Sequence, residues 1–126
     1  MFGTISAFGK GFYFIMDVTN DIKALYIIIN AGYSDEVMDA ARKAGAKGAT
    51  IMNARGEGTR HTSVLGISVD SEKEILLILI DTATADKIML AVKEKFGVDS
   101  PAHGVCFTMP VDRTSQINVF PNGNGD

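Results

Sequence analysis

The chain has 126 residues, enough for one domain with a substantial core, and its 46% hydrophobic, 21% charged composition is that of a folded protein. A net charge of −3 gives no electrostatic basis for binding nucleic acid. A single cysteine, Cys106, excludes an internal disulfide and a multi-cysteine zinc site.

The apolar run at 26–29 is far too short for the roughly 20 residues of a membrane-crossing helix. The N-terminus, MFGTISAFGKGFYFIMD, lacks a basic region followed by a clean apolar one and makes a poor signal peptide, so a cytoplasmic location is expected. Residues 1–20 form an extension of unclear structure. Phe2, Ile5, Phe8, Phe12, Phe14 and Met16 are many apolar groups for a tail, while Gly3, Gly9 and Gly11 break any helical pattern. Phe12, Phe14 and Met16 alternate with Tyr13, Ile15 and Asp17, which allows a short strand. An extra edge strand or an arm packed on another subunit is expected, because exposing so many aromatics is unfavourable. A disordered leader is the alternative.

From residue 21 the pattern is clearer. Residues 23–29, KALYIII, are short, continuous and rich in isoleucine, as in a strand buried on both faces. Ser34 is the expected N-cap of an amphipathic helix over 34–45, with Asp35 and Glu36 in its first turn and Arg42 and Lys43 near its end. Gly45 or Gly48 supplies the left-handed stop. A second strand, 49–54, leads into a loop at about 55–62. Residues 64–69 allow a further extended piece, and 70–73 read as a polar turn. Another apolar strand follows at 74–80. Thr82 or Thr84 is the expected cap of a second helix, whose stripe is Ala85, Ile88, Met89, Val92 and Phe96 and which Gly97 ends. A loop at 98–103 precedes a last strand at 105–109. Residues 111–120 allow a short additional strand, and 121–126 are an expected disordered tail.

The order β-α-β-β-α-β is the ferredoxin-like α+β arrangement: a four-stranded antiparallel sheet with two helices on one face, here over 21–120. Strands apolar at nearly every position leave no wet face. The sheet face without helices is therefore expected to bury itself against further copies of the chain in a closed, symmetric assembly.

The polar groups that stand out are Arg55, Arg60, His61 and His103. Arginine offers a planar two-pronged donor set to phosphate or carboxylate, and the main chain at Gly56 and Gly58 can approach an anion closely. A solvated loop face or a partner contact at Arg55, Arg60 and His61 is the plainer reading. The RGEG sequence lacks the context of a dinucleotide or P-loop motif. His61 and His103 are metal-ligand candidates only as a pair meeting across a subunit boundary. Arg113, beside Asp112, reads as a surface or interface ion pair or as a phosphate contact. Cys106, between Val105 and Phe107, reads as a small buried hydrophobe. No nucleophile elbow, HExxH or Ser/His/Asp spacing points to an enzyme.

Five pieces in order and spacing resemble the P-II signalling proteins and their P-II-like relatives over about 23–118. They are SDEV at 34–37, GATI at 48–51, RGEG at 55–58, EKEILLILI at 72–80 and GVCFTMPVD at 104–112. The resemblance implies a ferredoxin-like homotrimer in nitrogen regulation, adenine-nucleotide sites (ATP, ADP or AMP as effector, none tightly bound) in the clefts between subunits, and a T-loop after the second strand. It implies that the T-loop controls a membrane transport protein or an enzyme. Thr50 falls where the family holds the adenine end, Gly56 and Gly58 at the T-loop base, and Gly104 on the second glycine of the Gly-Asp-Gly-Lys phosphate loop. The candidate anion-binding set is Thr50, Gly56, Gly58, Thr59, Arg60, His103, Gly104 and Arg113. There are departures. The phosphate loop reads AHGV at 102–105 without its lysine, and the two late phosphate-holding arginines fall on Gln116 and Asn118. The T-loop is shorter. These fit a different or weaker anionic ligand. The alternative is a metal-binding or nucleotide-independent interaction module on the same trimer.

Overall fold

A computed structural model describes residues 2–8, 11–17, 21–57, 62–64, 67–69 and 71–115. Its centre is strand β3 (Ile22–Asn30), which runs antiparallel between β7 (Ser71–Asp81) and β8 (Val105–Pro110), with β4 (Thr50–Gly56) on the far side of β7. Helices α1 (Ser34–Lys43) and α2 (Thr82–Phe96) complete a β-α-β-β-α-β order. The register sets the two faces of this sheet. Leu25, Ile27 and Ile29 of β3 share one face with Ile78, Leu76 and Glu74 of β7. The apolar ones are buried with Val37, Met38 and Ala41 of α1 and Ala85, Ile88 and Val92 of α2. Both helices therefore cover the same face, and each fully buried Leu, Ile or Val contributes about 1.5–3 kcal/mol. The ferredoxin-like arrangement read from the sequence is the one found.

Several local expectations are corrected. Ser34 does not cap α1: the N-cap is Tyr33, without a side-chain cap. Glu74 of β7 instead holds the turn that leads into the helix, accepting from Gly32 N–H at 2.9 Å and from Ser34 Oγ at 3.4 Å. Residues 71–73 are not a turn. They extend β7, because Glu72 and Lys73 continue the ladder against Arg55 and Ala54, and β4 correspondingly runs to Gly56. The cap of α2 is Asp81, which accepts from Thr84 N–H at 3.1 Å; Thr82 instead donates its hydroxyl to Asp21 O. Gly97 does end α2, in an extended conformation (φ −70°). Its need for glycine is steric, because a Cβ there would sit 2.6 Å from Lys93 O. Gly45 does supply the left-handed stop of α1, at φ +123°. Gly45 N–H donates to Arg42 O and Ala46 N–H to Ala41 O, the paired bonds of a Schellman cap.

Outside the four-stranded sheet, β1 (Phe2–Phe8) and β2 (Gly11–Asp17) form an antiparallel hairpin that pairs with the two-residue β9 (Arg113–Thr114). The N-terminal extension and the segment after β8 thus share a second, three-stranded sheet. Between β4 and β7 a short hairpin, β5 (Thr62–Val64) and β6 (Ile67–Val69), stands where a loop and an extended piece are expected from the sequence. The tail at 121–126 lies outside the described residues. Among the described residues no helix is long and apolar enough to cross a membrane.

Candidate functional site

The face of the sheet turned away from the helices is apolar across all four strands. Met52, Ile75, Ile28 and Val105 lie in one cross-strand row, and Thr50, Leu77, Tyr26 and Phe107 in the next. Tyr26 and Phe107 stack with ring centroids 5.0 Å apart. The middle of the face is half-buried, but at its margins Met52, Val105, Phe107 and Met109 are 37–49% exposed in the single chain. Strands β4 and β8 are the two sheet edges, so Thr50 and the turn before β8 lie on opposite margins of this face.

At one end of the sheet, the turn after β3, the start of α1, the end of β4 and the start of β7 enclose an open cleft of about 590 Å³. Its charged lining groups are Asp35, Arg55, Glu72, Lys73 and Glu74. Asn30, the last residue of β3, organises the neighbouring backbone. It accepts from Lys73 Nζ at 2.6 Å, donates its side-chain amide to Pro101 O at 2.9 Å, and donates its main-chain N–H to Ala102 O at 2.8 Å. Lys73 in turn lies against Gly56, where a Cβ would meet its Cε at 2.9 Å. A continuous chain of contacts therefore runs from the end of β4, through Lys73 and Asn30, to the turn before β8. Glu74 binds the turn just before α1 through Gly32 N–H and the Ser34 hydroxyl, which places the chain's own carboxylate beside the start of that helix.

The sequence candidates distribute as follows. Thr50 begins β4 and is exposed; Gly56 ends it and is half-buried. Arg55 is exposed opposite Glu72. Gly58, Thr59, Arg60 and His61 lie outside the described residues. Arg113 is exposed in β9 against β2, within the second sheet. His103 is exposed, with a left-handed backbone at φ +48°. Gly104 is buried, and a Cβ on it would collide with the carbonyl oxygen of Phe96. Its glycine is thus required by the packing of the turn on the end of α2. Among the described residues no three His, Cys, Asp or Glu side chains gather as a metal site. Cys106 lies half-buried on the helix side of β8, where burial pushes its thiol up to about 11.

Asn30, Lys73, Glu74 and Ser100 carry the local wiring and do not stand out in the sequence. Their signal is faint: a polar residue closing an apolar strand, and two charges opening another.

Residues 22–119 match the profile of the family described as nitrogen regulatory protein P-II. No curated protein matches the chain. Among solved structures, it is similar to a PII-like signalling protein from Thermus thermophilus, with 21% identity, a TM-score of 0.58, and 76% of this chain and 90% of that one covered. It is also similar to the GlnK–ATP complex of B. subtilis, with 18% identity, a TM-score of 0.59, and 75% and 84% covered. A third is CPII, a nitrogen regulatory PII-like protein from Thiomonas intermedia K12 bound to ADP, AMP and bicarbonate, with 17% identity, a TM-score of 0.60, and 79% and 94% covered. At these identities the structural likeness carries the fold, and the profile carries the family. Spanning the whole ferredoxin-like unit, that match places the chain in the P-II family of regulatory signalling proteins.

Proposed function

We propose that the protein is a non-enzymatic P-II-like regulator that works as a homotrimer. It would bind an adenine nucleotide as a reversible effector at the clefts between subunits and act on a target, such as a membrane transport protein, through the loop between β4 and β7. The observation that carries this reading is the apolar face opposite the helices. Covering it with further copies removes Met52, Phe107 and Met109 from water and brings the β4 edge of one copy toward the β8 edge of another. The candidate contacts are then Thr50 and the main chain near Gly56 from one copy, and residues beside Gly104 from the next. Relatives of this fold solved with ATP, or with ADP and AMP, support the choice of ligand class. Control of a target needs an effector that binds one state of the loop more tightly than another, since only differential affinity shifts a population.

Isothermal titration with ATP, ADP and AMP tests the effector. Saturable heat with at least one of them is expected, and no heat with any removes the nucleotide from the proposal. Identifying a co-purified small molecule by mass spectrometry is the complementary measurement.

A further inference from the structure

The turn joining α2 to β8 is where a P-II-like site would receive the outer phosphates of its nucleotide, so its role depends on the nucleotide reading proposed for the protein. The main-chain donors of this turn are accounted for one by one. Ser100 N–H donates to Gly97 O at 2.9 Å, His103 N–H to Ser100 O at 3.0 Å, and Gly104 N–H to Phe96 O at 2.6 Å. Ala102 N–H donates to Ser100 Oγ at 3.2 Å, while that hydroxyl donates to Gly97 O at 2.7 Å. Pro101 has no N–H to offer. A phosphate cradle needs successive N–H groups directed outward into one concavity; from 100 to 104 they are directed inward, at the turn's own oxygens.

The arrangement is also held in place from outside. Asn30 fixes the carbonyls of Pro101 and Ala102 from the end of β3. Gly104 is pressed against the carbonyl of Phe96 so closely that nothing larger fits. Freeing these amides for a ligand would break several bonds at once and leave half-buried oxygens of Phe96, Gly97 and Ser100 without donors, at a cost that a ligand contact would first have to offset. The side chains offer little in place of the lost donors. The turn carries Asp99, an anion, the residue after Gly104 is the apolar Val105, 47% exposed, and the exposed ring of His103 is left as a single donor rather than a cradle.

We infer that this turn receives no phosphate, and that the site therefore gains nothing from a β- or γ-phosphate and does not favour ATP or ADP over AMP. Each charge-assisted hydrogen bond to a phosphate oxygen is worth about tenfold or more in affinity, so a working cradle would show itself plainly as tighter ATP binding. Its absence levels the series.

The test is titration calorimetry of the full chain with AMP, ADP and ATP at one ionic strength, together with the amide resonance of Gly104 followed by NMR. ATP and ADP are expected to bind less than about fivefold more tightly than AMP, and the Gly104 amide shift is expected to be the same with AMP as with ATP. ATP binding tighter than AMP by that factor or more, or a Gly104 amide shift produced by ATP alone, overturns the inference while leaving the nucleotide reading intact. Binding by none of the three overturns that reading, and the inference with it.

Discussion

At the scale of single residues, two glycines of the candidate site do different work. Gly104 is boxed in by the carbonyl of Phe96 with Ile29 close behind, so Gly104→Ala should force the turn off the end of α2 and destabilise the fold by about 1–3 kcal/mol. Urea denaturation reads this directly; an unchanged midpoint would show that the turn is looser than its hydrogen bonds imply. Gly56 meets only the flexible end of Lys73, so Gly56→Ala should cost less than about 1 kcal/mol while pushing Lys73 away from Asn30. The difference is not visible in the sequence, where both glycines join the candidate anion-binding set, Gly56 for close main-chain approach and Gly104 for its match to the family's phosphate loop. Distinguishing them needs the neighbour that each would strike. Cys106 is legible: flanked by apolar residues, it is half-buried and carries a raised thiol pKa of about 11. Alkylation at pH 8 should accordingly be about 100-fold slower in the native protein than in urea, from the lower thiolate fraction. The linkage has a definite sign. A thiol whose pKa rises on folding stabilises fully below its unfolded value, and that contribution disappears as the pH climbs through about 11.

At the scale of elements, the strands and helices follow from apolar runs and helical spacing, and their order specifies the fold. The caps do not follow. Ser34 and Thr82 look like N-caps in sequence, but α1 has no side-chain cap and the turn before it is held by Glu74 from a neighbouring strand, while the α2 start is capped by Asp81. The first of these depends on register between elements 40 residues apart in the chain, which no local pattern encodes. Asp81→Ala should lose about 0.5–2 kcal/mol of stability through its N-cap bond to Thr84, measurable by thermal denaturation. No loss at all would mean that Asp81 contributes little as a cap. Residues 71–73 read as a turn because they are polar; the ladder with β4 overrides that composition. The hairpin of β1 and β2 is only half legible, since alternation in 12–16 suggests a strand while the glycines obscure its partner.

At the scale of the whole molecule, the proposed function rests on the apolar sheet face opposite the helices. A lone subunit would expose Phe107 and Met109 on an edge strand, an arrangement that favours association. If copies cover this face, Phe107→Asp should drive the assembly to monomers and abolish nucleotide heats together, because the proposed nucleotide site is made by two chains. Retained nucleotide binding by a monomeric Phe107→Asp protein would locate the site within one subunit. The decisive quantity is the mass of the unmodified protein in solution, by light scattering coupled to size exclusion at micromolar concentration. A trimer, three times the 13.5 kDa of the chain, is expected; a stable, monodisperse species of 13.5 kDa would contradict the shared cleft and everything built on it.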